Sequence, residues 1–300
     1  MYLEHFGLRE LPFNITPDTS FFYPTTYYQE ALNTLLIAAR SGEGFIKITG
    51  EVGTGKTLLC RKFMASLEDS YKTAYIPNPY LEPQALLAAV AEDLGAEVNP
   101  AEGQHHLLKS LTKALLDHAR AGKKVVLCLD EAQAMPLETL EALRLLTNLE
   151  TEKRKLLQVV IFGQPELEQK LAHDSIRQLK QRITFDYHLG ALTRDEMSYY
   201  LNHRLVVAGH KGGRVFTPMA QVLLHSKTKG IPRLVNIVAH KALMSAFGKG
   251  KRQVGLREML AALKDTVATR GHWWQRRTTQ WLLALFLLAA AGAVAWTVQP

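Results

Sequence analysis

A phosphate loop constrains the fold of this chain more than any other feature of its sequence. Residues 50–57 read GEVGTGKT and fill every fixed position of the pattern G-x-x-x-x-G-K-[ST]. The loop lies between the apolar segment Phe45–Thr49 and a helical stretch that begins at Leu58, and the pattern requires this strand–loop–helix order. A glycine-rich turn that matched by chance would not need that context. The sequence therefore predicts a nucleoside-triphosphate site.

The residue types in this loop suit polyphosphate chemistry. Gly50, Gly53 and Gly55 allow backbone N–H groups to approach the phosphates closely. Lys56 is predicted to reach the β and γ phosphates, and Thr57 to offer its hydroxyl to Mg²⁺, at the positive end of the following helix. The predicted nucleotide-binding set is the loop with the residue after it: Gly50, Glu51, Val52, Gly53, Thr54, Gly55, Lys56, Thr57 and Leu58.

Strand and helix signals alternate through the first two thirds of the chain. Short apolar runs predict strands at 45–49, 73–76, 125–129, 157–162 and 183–187. Amphipathic stretches between them predict helices near 84–94, 104–120 and 137–148. Alternation of this kind indicates a doubly wound α/β core with a parallel sheet.

From Thr193 onward the pattern changes to helices only. Four stretches predict helices at roughly 194–208, 218–229, 233–247 and 256–267. Thr217 with Pro218 is a typical helix start, and Gly230 is a typical helix stop. We therefore divide the chain into an α/β nucleotide-binding core at 1–190 and a small helical lid domain at 191–268.

The composition indicates a globular core without a disulfide or a zinc site. Hydrophobic residues make up 47% of the chain. Cys60 and Cys128 lie far apart, one in a helix and one in an apolar strand, so both are predicted to be buried thiols in a reducing compartment. The eleven histidines show no metal-ligand spacing, and His105 and His106 point to different faces of a helix.

Positive charge is concentrated near the C-terminus. The chain carries a formal charge of +8, and +6 of this falls between residues 249 and 277. The acids of this stretch are Glu258 and Asp265. Its basic residues are Lys249, Lys251, Arg252, Arg257, Lys264, Arg270, Arg276 and Arg277. A patch of this kind suits nucleic acid or an anionic membrane surface.

The apolar segment that follows favours the membrane. Residues 281–298 are apolar, and no charged residue occurs from Thr278 to Pro300. As a helix, this segment would extend about 27 Å, close to the roughly 30 Å of a hydrocarbon core, whereas a buried core helix would normally carry a polar stripe. We predict a transmembrane helix at 281–298 after a basic and aromatic juxtamembrane segment at 269–280. The positive-inside rule then places residues 1–277 in the cytoplasm.

A second strand ends in two adjacent acids. The apolar run 125–129 is followed by Asp130 and Glu131. At the edge of the strand neighbouring the phosphate loop, Asp130 would hold the Mg²⁺ shell and Glu131 would polarise the attacking water. Acids also end buried strands for structural reasons. The phosphate loop upstream, together with Ala132 and Gln133 after the acids, favours the catalytic interpretation.

Two further polar residues occupy suitable positions. Gln164 lies at the tip of the strand at 157–162, where it could sense the γ phosphate; its structural alternative is a strand cap. Arg233 opens a helix of the predicted lid, where it could reach the nucleotide and report its state. Its alternative is a solvated arginine at a helix start.

Motifs along nearly the whole chain point to one family. Besides the phosphate loop, these motifs lie at 6–13, 16–23, 130–133, 143–150, 163–167, 181–183 and 230–233. Together they resemble the AAA+ ATPases of the general secretion pathway protein A family. The resemblance implies Walker A and Walker B roles for the loop and for Asp130 with Glu131, sensor 1 and sensor 2 roles for Gln164 and Arg233, and ATP with Mg²⁺ as ligands.

The resemblance also implies partners. Such ATPases form rings or open oligomers in which an arginine of one subunit completes its neighbour's site; Arg182 is the choice here, with Arg177 in reserve. Residues 16–28 would lie near the adenine. The implied partners are further copies of the chain, inner-membrane pilus or secretion assembly proteins, and an anionic membrane surface. Secretion relatives carry a peptidoglycan-binding domain after the span, whereas this sequence ends two residues after Val298, so the resemblance gives no ground to expect direct cell-wall binding by this chain.

Three functional hypotheses remain open. The leading one is a single-pass, inner-membrane ATPase that supports a type IV pilus or a related secretion machine. A nucleic-acid-handling AAA+ ATPase, such as a transposition partner, would use 249–277 on phosphates but has no need of a span, so a nucleic-acid partner is disfavoured. A nucleotide switch without turnover is the third hypothesis, and the presence of Glu131 argues against it.

Overall fold

The fold centres on a five-stranded parallel sheet. The computed structural model describes residues 2–16, 18–98, 103–151, 155–266 and 268. The strands are β1 Phe45–Thr49, β2 Tyr71–Ile76, β3 Lys124–Leu129, β4 Leu157–Gly163 and β5 Phe185–His188. They lie in the order β2-β3-β4-β1-β5, and every pair is parallel, which confirms the predicted sheet.

The order of the strands corrects one expectation. The strand that ends at Asp130 was expected next to the phosphate-loop strand, but β4 lies between β3 and β1. Every residue of β4 is buried, and it pairs with β1 on one side and with β3 on the other. A parallel strand that is buried along its whole length belongs in the interior of a sheet whose two faces are covered. Gln164, directly after β4, therefore stands between the loop and the acids.

Helices cover both faces of the sheet. The chain begins with the short helix α1 Leu3–Phe6, and the helices that accompany the strands are α2 Thr26–Ser41, α3 Lys56–Ala65, α4 Pro83–Asp93, α5 Gln104–Arg120, α6 Leu137–Leu146, α7 Glu166–Leu171 and α8 Arg177–Lys180. One apolar layer joins α2 and α3 to the sheet, and the opposite layer joins α4 to α8. Single 3-10 turns lie at Thr19–Phe21, Ala132–Ala134 and Asp174–Ile176.

Helix α2 has no counterpart among the predicted elements. It begins after Thr25, whose hydroxyl accepts a hydrogen bond from the Tyr28 backbone N–H, and it ends at Gly42 in the left-handed conformation. Both signals are present in the sequence. All the helices and strands that were predicted are confirmed. Each begins and ends within two residues of its expected position.

Four helices follow the sheet. They are α9 Arg194–Val207, α10 Pro218–Thr228, α11 Pro232–Gly248 and α12 Leu256–Asp265. Thr193 and Glu196 form a capping box at the start of α9, so the change from strand to helix is encoded locally. Gly230 lies against Leu192, and an added Cβ at Gly230 would lie 2.0 Å from the Leu192 carbonyl oxygen. This close approach fixes the helical unit, residues 194–265, to the chain that leaves β5.

The N-terminal segment packs on the helical unit. Buried Tyr2, Phe6, Phe13 and Phe21 belong to the same apolar cluster as residues of α9 to α12. The predicted core at 1–190 included this segment, and the structure differs in that its side chains join the helical cluster. Arg9 N–H donates to the Ala208 carbonyl at 2.7 Å, so the backbone also connects the two.

The predicted membrane segments fall beyond the part of the chain just described. Among the described residues, no helix is both long enough and apolar enough to cross a membrane. The juxtamembrane segment at 269–280 and the transmembrane helix at 281–298 lie outside the described residues.

Candidate nucleotide-binding site

The phosphate loop connects β1 to α3 at the carboxyl edge of the sheet. Gly53 and Gly55 have φ values of +84° and +101°, a region that L side chains rarely adopt. Gly53 is also pressed against the helical unit, because an added Cβ would lie 2.5 Å from Arg233 Cβ. At Gly50 an added Cβ would lie 2.8 Å from the Leu189 carbonyl oxygen. Glycine is therefore required by space at Gly50, by conformation at Gly55 and by both at Gly53.

Lys56 is held within the loop. Its side chain is buried, and Nζ donates to the carbonyls of Gly50 at 2.8 Å and Glu51 at 3.0 Å. Burial lowers the pKa of Lys56 below its ordinary value, while the carboxylates of Glu131 and Asp130 oppose that shift. An ammonium has three hydrogens, so one remains for a phosphate oxygen. The loop thus directs one positive charge into its own concavity.

Thr57 and Asp130 form the predicted metal pair. Thr57 Oγ1 donates to Asp130 Oδ2 at 2.5 Å, and the backbone N–H of Glu131 donates to Oδ1 at 2.9 Å. Burial raises the pKa of Asp130, and these two hydrogen bonds oppose the rise. A hydroxyl beside a carboxylate is a donor set that Mg²⁺ accepts, because Mg²⁺ binds through one or two protein oxygens together with phosphates and waters. The residues therefore fit the ion.

Glu131 and Gln164 meet at the carboxyl edge of the sheet. Gln164 Nε2 donates to Glu131 Oε2 at 2.9 Å. Glu131 has φ of 52° and ψ of 38°, one of two non-glycine residues with positive φ in the described chain. Such strain costs on the order of 1–3 kcal/mol and is characteristic of functional positions. The turn aims the carboxylate into a cavity that Lys56 also lines.

Arg233 reaches the phosphate loop from the helical unit. Its backbone N–H donates to the Gly53 carbonyl at 3.1 Å, and its side chain lines the same cavity as Lys56 and Glu131. The cavity has a volume of about 190 Å³ and is bounded by three separate parts of the chain. Its lining residues are Asn14, Ile15, Thr16, Asp18, Val52, Gly53, Gly55, Lys56, Thr57, Leu58, Glu131, Tyr200, Arg204, Pro232, Arg233 and Asn236.

Arg204 fastens the N-terminal segment across this cavity. It is buried, and its guanidinium donates to the Pro12 carbonyl at 2.5 Å, the Asn14 carbonyl at 3.2 Å and the Tyr200 hydroxyl at 2.9 Å. The guanidinium carbon also lies 4.8 Å from the centre of the Phe21 ring. One side chain of α9 thus determines where residues 12–14 run.

An apolar pocket adjoins the cavity behind the loop. Tyr28 hydroxyl donates to the Gly55 carbonyl at 3.2 Å, and its ring lies edge-on to Phe22 at 4.8 Å. The pocket, of about 60 Å³, is lined by Phe21, Phe22, Tyr23, Thr25, Tyr28, Thr54, Gly55, Leu58, Leu189, Gly190, Leu192, Tyr200, Arg204 and Pro232. Aromatic walls beside a phosphate loop suit a nucleobase. Residues expected near the adenine, 16–28, supply much of this lining.

The comparison with protein families agrees with this geometry. A model described as an AAA domain matches residues 39–171, which contain the phosphate loop, β3 and β4. The chain carries an AAA domain at these residues, and this domain identifies it as a P-loop ATPase. The ATPase is 40% identical over 296 residues to general secretion pathway protein A of Aeromonas hydrophila. That alignment covers 99% of the ATPase and 54% of the relative, so the ATPase spans about half of the relative's length.

Solved structures share the fold of the ATPase. The Cdc6 protein of Pyrobaculum aerophilum has a TM-score of 0.65 at 19% identity, covering 83% of this chain and 71% of its own. The ORC2 protein of Aeropyrum pernix, in its complexes with ADPNP and ADP, has a TM-score of 0.61 at 17% identity, covering 83% and 72%. The RuvB branch migration motor of Thermotoga maritima has a TM-score of 0.59 at 14% identity, covering 94% and 86%.

The two arginines proposed as fingers lie away from the ATPase's own cavity. Arg182 lies three residues before Phe185, the first residue of β5, at the amino edge of the sheet, and its Nη1 donates to Thr147 Oγ1 at 3.0 Å. Arg177 begins α8. Neither residue lines the cavity of its own chain. A role in hydrolysis for either would therefore require a neighbouring subunit, and this assignment stays a prediction.

Sequence reasoning assigned no role to two residues of the site. Gln133 Nε2 donates to Glu131 Oε2 at 2.5 Å, and the signal available was an amide two residues after the catalytic acid. Arg204 had no comparable signal, because the carbonyls that it binds lie 190 and 192 residues away in the chain. Only the folded arrangement of the helical unit brings Arg204 to the cavity.

Proposed function

We propose that this AAA+ ATPase is membrane-anchored and supports a type IV pilus or a related secretion machine. The observation that carries its ATPase chemistry is that Lys56, the Thr57–Asp130 pair and the Glu131–Gln164 pair converge on one edge of the sheet. The secretion role is supported by the 40% identity to general secretion pathway protein A. Within that family, the biogenesis protein M of the mannose-sensitive haemagglutinin (MSHA) pilus is the counterpart that we propose.

The phosphate loop binds the phosphates of ATP, and Thr57 with Asp130 would bind Mg²⁺. Lys56 brings a positive charge to the β and γ phosphates, and the loop N–H groups bind their oxygens. Thr57 and Asp130 would hold Mg²⁺, which when bound neutralises negative charge on the phosphate oxygens. Because Thr57 donates to Asp130, the fold itself holds the two oxygens side by side.

The remaining residues act on the γ phosphate. Glu131 accepts a hydrogen bond from the attacking water and orients it. Gln164, on the adjacent strand tip, senses the γ phosphate, and Arg233 carries that information to the helical unit, which would act as the lid. Hydrolysis would then change how the helical unit rests on the loop through the contact between Arg233 and Gly53.

Membrane anchoring and assembly complete the proposal. The apolar segment 281–298 and the +6 charge of 249–277 support a single-pass protein of the inner membrane with residues 1–277 in the cytoplasm. Further copies of the chain and inner-membrane pilus or secretion proteins are the proposed partners. In an oligomer, Arg182 of one subunit would complete the site of the next.

Replacing the chromosomal copy with a Glu131→Gln variant tests the cellular role. We expect surface pili or exported cargo to fall strongly while the amount of protein in the membrane fraction is unchanged. Glu138→Gln is a matched control, because Glu138 is exposed on α6 and makes the same charge change. Normal piliation and secretion by cells whose purified Glu131→Gln protein lacks turnover would refute a driving role for the ATPase.

A nucleic-acid role is the second candidate, and one observation favours it. An open groove of about 570 Å³ between the N-terminal segment and the helical unit is lined by Lys211, Arg214 and Arg252, with Glu4 as the acid among its lining residues. Within the described residues none of these three cations is in an ion pair. One structural neighbour, at 19% identity, is an Aeropyrum pernix ORC1 protein in complex with DNA. The prediction against a nucleic-acid partner therefore loses support.

Duplex binding in solution discriminates between the two candidates. A nucleic-acid role predicts salt-dependent binding of a 30-base-pair duplex, weakened by Lys211→Glu and Arg214→Glu. Binding that is absent at 50 mM salt, while ATP turnover is intact, would leave the secretion proposal as the one supported.

A further inference from the structure

The carboxylate of Glu131 is held by one of its two oxygens. Oε2 accepts from Gln164 Nε2 at 2.9 Å and from Gln133 Nε2 at 2.5 Å. Oε1 receives no hydrogen bond from any described residue. Because Glu131 lines the nucleotide cavity, Oε1 is the oxygen that remains for a water molecule.

The direction of the Gln133 amide is determined by the backbone. Gln133 Oε1 accepts from the backbone N–H of Gln164 at 3.0 Å. A backbone N–H can only donate, so the oxygen of the amide must face it and the NH₂ group must face Glu131. Gln133 is therefore a donor to Glu131 by necessity, and it connects the acid to the end of β4.

The short turn that carries Gln133 is itself anchored. Ala132 and Met135 are fully buried in the sheet layer, and Ala134 N–H donates to the Glu131 carbonyl at 2.8 Å. Gln133 therefore has a fixed backbone beneath it. Gln164 differs, because it is the residue proposed to turn toward the γ phosphate, and that movement would break its contact with Glu131.

We propose that Gln133 is a positioning residue for hydrolysis. It donates a hydrogen bond to Oε2 of Glu131 throughout the ATPase cycle. Oε1 therefore faces the water even when Gln164 gives up its own hydrogen bond to Glu131 and contacts the nucleotide. This inference rests on the proposed role of Glu131 in orienting water. Gln133 touches neither nucleotide nor water and acts only through Glu131.

Gln133→Glu is the decisive variant. It preserves the length of the side chain and an oxygen for the Gln164 N–H, but it replaces the donor that faces Glu131 with a second carboxylate oxygen. We expect kcat to fall about 10- to 100-fold, as for the loss of a hydrogen bond to a charged group, while the KM and the affinity for a fluorescent ATP analogue stay within about twofold. A role limited to supporting the Gln164 backbone predicts wild-type kcat for this variant.

Two controls complete the test. Gln169→Glu makes the same charge change at an exposed position of α7 and should leave kcat unchanged. Gln133→Ala removes donor and acceptor together, and it should also lower kcat with ATP affinity retained. Thermal melting of each protein confirms that it is folded.

Combination with Glu131→Gln separates the possible failures. In that background Gln133→Glu should cause no further loss, because the carboxylate that it positions is gone. If Glu131→Gln is inactive while Gln133→Glu and Gln133→Ala turn over at the wild-type rate, Gln133 has no positioning role. A rise in KM at constant kcat would likewise overturn the proposal. If Glu131→Gln itself retains wild-type turnover, the proposed role of Glu131 fails, and the inference fails with it.

Discussion

The two walls of the nucleotide cavity are built in opposite ways. The loop wall, formed by residues within 52–58 together with Glu131, comes from one continuous loop and one strand end. The helical wall, Asn14 with Tyr200, Arg204, Arg233 and Asn236, comes from the N-terminal segment and two helices. In the loop wall, local backbone geometry places each functional atom. In the helical wall, packing between residues distant in sequence does so.

Because of this difference, we expect the loop wall to determine ATP binding and chemistry, and the helical wall to act on them through its position. Charge and hydrogen-bond donors for the phosphates lie in the loop wall, so changes there should alter binding or chemistry directly. The helical wall touches the loop through Gly53 and Arg233 and holds the N-terminal segment through Arg204. Changes there should act through the position of the wall. The predictions below test this division.

The Arg182→Ala variant tests whether a neighbouring subunit also contributes a residue to the nucleotide site. Arg182→Ala should bind ATP normally but lose turnover about 10³-fold or more, because a finger stabilises the transition state of the adjacent site. Single-turnover assays with bound nucleotide measure this. A mixture of Arg182→Ala and Glu131→Gln subunits should regain activity, since some sites would then contain both residues. No recovery in a verified mixed oligomer would favour a structural role through Thr147; Arg177→Ala is the parallel variant.

Glu131→Gln should separate chemistry from binding within the loop wall. The amide keeps the shape of the side chain but orients water poorly, so we expect kcat to fall about 10²- to 10⁴-fold with ATP affinity retained. Phosphate release at saturating ATP and equilibrium binding of a fluorescent analogue measure the two quantities. Turnover at the wild-type rate would mean that another acid orients the water.

Lys56→Ala, also in the loop wall, should weaken ATP binding. Loss of the ammonium facing the β and γ phosphates should weaken ATP affinity about 100-fold, equivalent to about 3 kcal/mol of charge-assisted hydrogen bonding. Isothermal titration calorimetry gives the affinity directly. Lys227→Ala, at an exposed position of α10, is the matched control and should bind as wild type does. An equal loss in both variants would show a non-specific effect of charge.

Arg204→Met should produce the smallest change in affinity and would show how firmly the helical wall is held. The substitution removes three hydrogen bonds, of which two fasten the segment at Pro12 and Asn14 and one binds the Tyr200 hydroxyl. We expect ATP affinity to fall about tenfold and the free energy of unfolding to fall by about 3 kcal/mol. Proteolysis near residue 14 should become faster. If affinity falls without faster proteolysis, Arg204 contacts the nucleotide itself.

The same division explains what could be predicted from the sequence. The phosphate loop, its following helix and the strand ending at Asp130 depend on contiguous residues, and each is confirmed. The place of β4 between β1 and β3 depends on a crossover that no local signal encodes. Arg233 was identified from its position at the start of a predicted helix, and the family resemblance added the sensor 2 role, whereas Arg204 was missed because its partners lie near the start of the chain. Gln133 was visible in the sequence, but its role depends on the exact direction of one amide.

The packing of the N-terminal segment on the helical unit also has a consequence for synthesis of the chain. Tyr2, Phe6 and Phe13 leave the ribosome first, yet they belong to one apolar cluster with Met259 and Leu263 near the end of the described chain. The sheet can form when β5 has emerged, but the cluster that buries these aromatic side chains is complete only when α12 is made. We therefore expect nascent chains that end before about residue 256 to bind chaperones through their N-terminus, in a state that full-length chains no longer populate.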